Sequence, residues 1–103
     1  MTRANLKHIP LKNPADKDGK TPLHWAAISG DFDICKLIIE QIKDKNPEDN
    51  LGWTPLHLAA MDGHLEVCKL ILENVNELQP YNNEGKTPMD YASDPEIIKL
   101  FPH

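Results

Sequence analysis

The residues of this chain that could do chemistry are five histidines, two cysteines, two serines and a surplus of carboxylates. Nucleophilic catalysis needs a hydroxyl or thiol beside a base that a third group orients. Ser29 and Ser93 fall in or near loops, and the sequence shows no such base and acid for either. A metal site needs ligands that converge. Cys35 and Cys68 are too far apart for this, and His57 and His64 do not share a helix. No glycine-rich loop of the kind that cradles phosphates is present, and the carboxylates read as solvated faces. The expectation is no catalytic, cofactor-binding or metal-binding residues, no cofactor, and no enzyme.

What sets the remaining candidates apart is an interval. His24 and His57 are 33 residues apart, and so are Cys35 and Cys68. The segment Asp18-Gly19-Lys20-Thr21-Pro22-Leu23-His24 returns as Leu51-Gly52-Trp53-Thr54-Pro55-Leu56-His57 and again as Glu84-Gly85-Lys86-Thr87-Pro88-Met89-Asp90. Residues 16–48 and 49–81 are identical at 15 of 33 aligned positions, so the chain is an internal repeat. Residues that recur with the repeat belong to its scaffold, which places both histidines and both cysteines there. Stacked repeats sit about one helix diameter, roughly 10 Å, apart. That separation is too great for a disulfide, so each cysteine reads as a small buried apolar side chain.

The elements that position these residues follow from the same unit. Gly19, Gly52 and Gly85 suit a tight turn with positive φ. Thr then caps a helix and Pro takes its first position, where a missing N–H costs nothing. The first helix runs through Leu23-His24-Trp25-Ala26-Ala27 and Leu56-His57-Leu58-Ala59-Ala60, its paired alanines admitting a close neighbour. Gly30 and Gly63 break the chain before a second helix. There Phe32, Cys35, Ile38 and Ile39 stand at helical spacing, matched by Leu65, Cys68, Ile71 and Leu72. Ile34 and Leu37 make this helix apolar on a further side, as expected of one sandwiched between neighbours. Trp25 stands where Leu58 and Tyr91 stand and is assigned to the core. Pro14, Pro47 and Pro80 mark one bend in three successive linkers. Such units hide their apolar faces only by stacking.

These motifs strongly resemble the ankyrin repeat, and residues 52–73 match its signature almost throughout. The resemblance covers about residues 16–101. It implies an all-α solenoid of stacked helix-turn-helix units with β-hairpin-like loops, and histidines that hydrogen-bond neighbouring loops. The expected organisation is one domain over residues 1–103. Within it, residues 1–15 form a partial N-terminal repeat or cap, 16–48 and 49–81 two repeats, and 82–103 a shortened C-terminal repeat. Leu6 and Ile9 align with Ile39 and Ile42, so residues 2–9 resemble the end of a second helix. In the third repeat Asp90 replaces His, and three residues are missing between the helices. The glycine that usually caps the second helix is absent from Ile42-Lys43-Asp44-Lys45-Asn46 and from Val75-Asn76-Glu77-Leu78-Gln79.

Composition sets the outer limits. A hydrophobic share of 40% fits a folded domain rather than a disordered or collagenous chain. The apolar runs are far too short for a membrane span, and no signal-peptide stretch opens the chain. The expected location is intracellular and cytoplasmic, without membrane contact. Residues 1–20 carry +3 and residues 21–103 carry −8, which argues against nucleic acid as a partner.

The resemblance implies a non-catalytic module that binds a protein or peptide along a concave face of loop tips and first helices. Carried over by position, that face comprises Lys17, Asp18 and Lys20; Asn50, Leu51 and Trp53; Asn83, Glu84 and Lys86; with Ile28, Ser29, Met61 and Asp62 from the helices. Trp53 is the leading candidate, because Lys20 and Lys86 show that the repeat does not require an aromatic there. An alternative role for Trp53 is packing over the adjacent loop. Two other functions stay open: a structural segment or cap of a longer array, and a designed or grafted binder. The expected state is a monomer, or weak self-association through exposed repeat ends.

Overall fold

In a computed structural model the described residues are 15–102. The reading of residues 1–15 as a partial repeat lies outside them, except for Ala15. The described chain forms three helix pairs in sequence: α1 (Pro22–Ser29) with α2 (Phe32–Ile39), α3 (Pro55–Met61) with α4 (Leu65–Leu72), and α5 (Pro88–Tyr91) with α6 (Pro95–Ile98). First helices stack on first helices and second on second, so each pair packs against its neighbours in the sequence.

Each pair starts as its sequence dictates. Thr21, Thr54 and Thr87 are extended N-cap residues, and the prolines after them open the helices. Before them, Gly19 and Gly52 adopt φ of 81° and 82°. A side chain on either would also collide with the next loop. The Cβ would lie 2.7 Å from the Asn50 backbone nitrogen in one case and 2.8 Å from that of Asn83 in the other. Glycine is therefore required by space as well as by conformation.

The core lies between the stacked layers. Leu23, Ala27, Cys35, Ile39, Leu56, Ala59, Cys68, Ile71, Ile97 and Phe101 are all essentially closed to solvent. Both cysteines are free and buried. Burial, with nearby Asp31 for one and Asp94 for the other, pushes the Cys35 thiol up to about 11 and the Cys68 thiol up to about 12.

Two features depart from the sequence reading, and a third completes it. Trp25 is not in the core: it is 51% exposed, with its indole N–H donated to Asp16 Oδ2 at 2.9 Å. Its counterpart Leu58 is buried because Lys20 and the loop around it lie alongside from the preceding repeat. α2 is likewise not sandwiched among the described residues. Ile34 and Leu37 are exposed, whereas their counterparts in α4, Val67 and Leu70, are buried. Finally, the missing glycine cap of α2 is replaced by Lys45, whose Nζ donates to the Ile39 and Ile42 carbonyls at 2.8 and 2.6 Å.

Candidate partner-binding face

The loops ahead of α1, α3 and α5 are each pinned by one side chain. Asp49 shows how: its Oδ1 accepts from the Leu51 and Trp53 amides at 2.9 Å each. Asp16 and Asn82 do the same for their own loops. The loops are hairpin-like, closed by bonds such as Asp49 N–H to the Trp53 carbonyl, yet the described residues contain no β-strand. Successive loops are tied together. Asn50 donates its backbone N–H to the Asp18 carbonyl and its side-chain amide to the Lys17 carbonyl; Asn83 does likewise to Leu51 and Asn50.

Histidines brace the loops from below. His57 is fully buried; its Nδ1 accepts from the Thr54 N–H at 3.1 Å, and its Nε2–H donates to the Lys86 carbonyl at 2.9 Å. His24 repeats this with Thr21 at 3.0 Å and the Trp53 carbonyl at 2.7 Å. One nitrogen accepts while the other donates, so each ring is neutral. Burial, the largest influence, holds both below the usual imidazole value despite the carbonyl bonds. They are scaffold, as their recurrence implied. His64 adds a bond the sequence did not reveal, from Nε2–H to the Ile28 carbonyl at 2.9 Å.

On this frame, Leu51, Trp53, Leu58 and Met61 surround a shallow depression of about 230 Å³, bordered by Lys20 and Asp49. Leu51 is 63% and Met61 44% exposed. Trp53 is half-buried, its ring stacked on Tyr91 of the third repeat at 4.3 Å and leaning on His57 at 5.6 Å. The Tyr91 hydroxyl is itself fixed, accepting from Asn82 Nδ2 at 2.8 Å and donating to Glu84 Oε1 at 3.2 Å. Trp53 thus packs on its neighbour and lines the depression at once.

The charges at the depression's edge cancel. Lys20 Nζ lies 3.2 Å from Asp49 Oδ2, and the Asp49 side chain is only 3% exposed. Burial works to raise the Asp49 carboxyl, but the Trp53 and Leu51 amides and Lys20 outweigh it and hold the group below its ordinary value. The lining is therefore apolar over a neutral ion pair, which suits an apolar side chain better than a charged one.

Of the sequence-derived site residues, the fold brings together Lys20, Leu51, Trp53 and Met61. Lys17, Asp18 and Asn50 form loop tips whose backbones and amide serve the inter-loop ladder. Glu84 and Lys86 lie on the third loop, Glu84 holding Tyr91 and Lys86 receiving His57. Ile28, Ser29 and Asp62 close the first helices and do not line the depression; Ser29 Oγ donates to the Ala26 carbonyl at 2.9 Å. Sequence reasoning missed Leu58, Asp49 and Tyr91 at this site. The 33-residue register held the signal, since position 58 of one repeat faces position 20 of the repeat before.

A family model described as ankyrin repeats (3 copies) matches the chain over residues 3–49 and 29–101. The chain belongs to the ankyrin-repeat family. No curated protein matches it. Ankyrin repeats are in general protein–protein interaction modules, typically without catalytic activity. Among the described residues no helix of this ankyrin array is long and apolar enough to cross a membrane.

Proposed function

We propose that this ankyrin array binds a protein or extended peptide by seating an apolar side chain between Leu51, Trp53, Leu58 and Met61. The observation that carries this is the pairing of exposed apolar rims with a rigid, charge-neutral base. Leu51 has no packing reason to be a leucine, being mostly solvent-exposed at a loop tip. Trp53 is held by Tyr91 before any partner arrives, so little ordering entropy is lost at the contact. A half-buried tryptophan ringed by aliphatic neighbours is the kind of anchor on which interfaces concentrate their energy.

The test uses Leu51→Ala with Met61→Ala, a pair chosen because neither residue supports the fold. Pull-downs by wild type and the double variant are compared by mass spectrometry, and any protein retained by wild type alone is measured by calorimetry. A partner whose affinity falls about tenfold or more, roughly 1.4 kcal/mol, supports the reading. Equal capture and equal affinity for every partner would remove the depression as the binding site.

A further inference from the structure

Asp49 and Leu58 already hold a cation within this array. Lys20 reaches them from the preceding repeat, its Nζ 3.2 Å from Asp49 Oδ2 and its side chain beside Leu58 at the depression. Thirty-three residues earlier, Asp16 takes the place of Asp49 and Trp25 that of Leu58. The correspondence extends to single atoms. Each aspartate uses Oδ1 to accept from the amides two and four residues on: Leu51 and Trp53 for Asp49, Asp18 and Lys20 for Asp16. Both loops therefore present Oδ2 alike. At Asp16 this oxygen accepts the Trp25 indole N–H at 2.9 Å, which fixes the ring beside the carboxylate and leaves a second lone pair.

The electrostatics favour a cation here. Desolvation works to raise the Asp16 carboxyl, but the Lys20 amide, the Trp25 indole and the Asp18 amide outweigh it and hold the group below its ordinary value. In the same loop Lys17 and Asp18 cancel, and Lys20 is neutralised by Asp49, so Asp16 leaves this end of the face negative. Among the described residues no cationic side chain lies against Asp16. Trp25 is 51% exposed where Leu58 is 6%. An open indole face beside a carboxylate attracts a cation through the ring quadrupole and the charge together.

We propose that Asp16 and Trp25 form a subsite for a lysine or arginine of the bound peptide, three residues from the apolar side chain seated in the depression. The spacing follows because adjacent repeats lie about 10 Å apart, the reach of about three extended residues. The third repeat offers no such subsite. There the pair is neutral, Asn82 donating to the Tyr91 hydroxyl, and Trp53 covers the ring. The basic residue thus lies over the first repeat and the apolar one over the second, which sets the peptide's register. The proposal rests on the depression being the apolar site.

Selection from a random dodecamer peptide library tests this on wild type, Asp16→Asn/Trp25→Tyr and Leu51→Ala/Met61→Ala. The first double variant installs the Asn82–Tyr91 pair of the third repeat, and Trp25→Leu, the residue of the second, replaces it should it fail to fold. Wild type should enrich lysine or arginine three residues from an aliphatic or aromatic residue. Asp16→Asn/Trp25→Tyr should keep the apolar enrichment and lose the basic one, whereas Leu51→Ala/Met61→Ala should lose the apolar one. In a selected peptide, norleucine for lysine or citrulline for arginine should weaken binding to wild type about three- to tenfold and leave Asp16→Asn/Trp25→Tyr unaffected. The chain's two indole signals, Trp25 and Trp53, report the two subsites separately by heteronuclear NMR. The neutralised peptide should still move the Trp53 signal and no longer that of Trp25. Apolar enrichment without a basic residue, or basic enrichment that survives in Asp16→Asn/Trp25→Tyr, overturns this proposal and leaves the depression standing. Basic enrichment without an apolar residue at fixed spacing removes the depression and this geometry with it. A dimer in sedimentation velocity that Lys86→Ala dissolves assigns the subsite to a second copy, since Lys86 holds the register of Lys20, and also overturns the proposal.

Discussion

Replacing His57 by Ala removes a side chain that no solvent reaches and that serves two repeats at once. The Thr54 N–H loses its acceptor in a site where Thr54 is itself buried, a loss of about 1–3 kcal/mol. The Lys86 carbonyl loses its donor but belongs to an exposed loop residue that water can partly serve, adding about 1 kcal/mol. The Trp53 ring loses a neighbour at 5.6 Å. Together these come to about 2–4 kcal/mol. The third repeat provides an internal comparison. Asp90 stands at the same position and accepts from the Thr87 N–H at 2.8 Å, but its side chain is exposed and, among the described residues, bonds to no further loop. Asp90→Ala should therefore cost only a cap, about 1 kcal/mol. Urea unfolding followed by circular dichroism at pH 7.5 measures both. If the two variants are destabilised equally, the inter-repeat bond is not where the histidine acts, and the account of the brace is wrong.

Two further expectations rest on the same buried groups. Burial holds His24 and His57 below their ordinary value of 6.5, so below about pH 6.5 the unfolded chain takes up protons that the folded chain does not. Stability should be level above that pH and fall on acidification toward the folded-state values, by up to about 1.4 kcal/mol per pH unit for each histidine. Urea midpoints from pH 7.5 down to 5 check this, and a flat profile would contradict it. With Cys35 and Cys68 buried and their thiols raised to about 11 and about 12, a thiol reagent at pH 8 should modify both only as fast as the chain opens. Rapid labelling of either in native buffer would contradict their placement.

Much of the fold was legible because it is written more than once. Gly-x-Thr-Pro marks each turn and helix start, the recurrence of His24 and His57 assigned them to the scaffold, and the ankyrin resemblance implied their bonds to neighbouring loops. What repetition could not show is where a neighbour is absent. Position 25 and position 58 are the same in the repeat, yet Leu58 is buried and Trp25 is half in solvent, because only Leu58 has a described preceding loop beside it. The same reason separates Ile34 and Leu37 from Val67 and Leu70. The depression was half legible: Trp53, Leu51 and Met61 stood out as departures from the pattern. Tyr91 beneath Trp53 and the Asp49–Lys20 pair arise from contacts between repeats, which sequence within one repeat does not encode. Helix closure by Lys45 was hidden for a different reason, since a lysine six residues past Ile39 carries no cap signal of its own.

The ladder of bonds between loops and histidines has a consequence for how such a chain can lengthen. His24 to Trp53 and His57 to Lys86 both span 29 residues, and Asn50 to Lys17 and Asn83 to Asn50 both span 33. Every one of these joins a unit to the unit beside it. A duplication that inserts a whole 33-residue unit after position 48 hands His24 and Asn50, whose bonds cross that point, new acceptors of the same kind, because the acceptors are backbone carbonyls whose chemistry no side chain alters. An insertion of 32 or 34 residues in the same place would put the bonds that cross the insertion point out of register. Growth by whole units is thus nearly neutral for such a chain, whereas growth by any other length disrupts it, and side chains at the tips can diversify without touching the bonds that make growth possible.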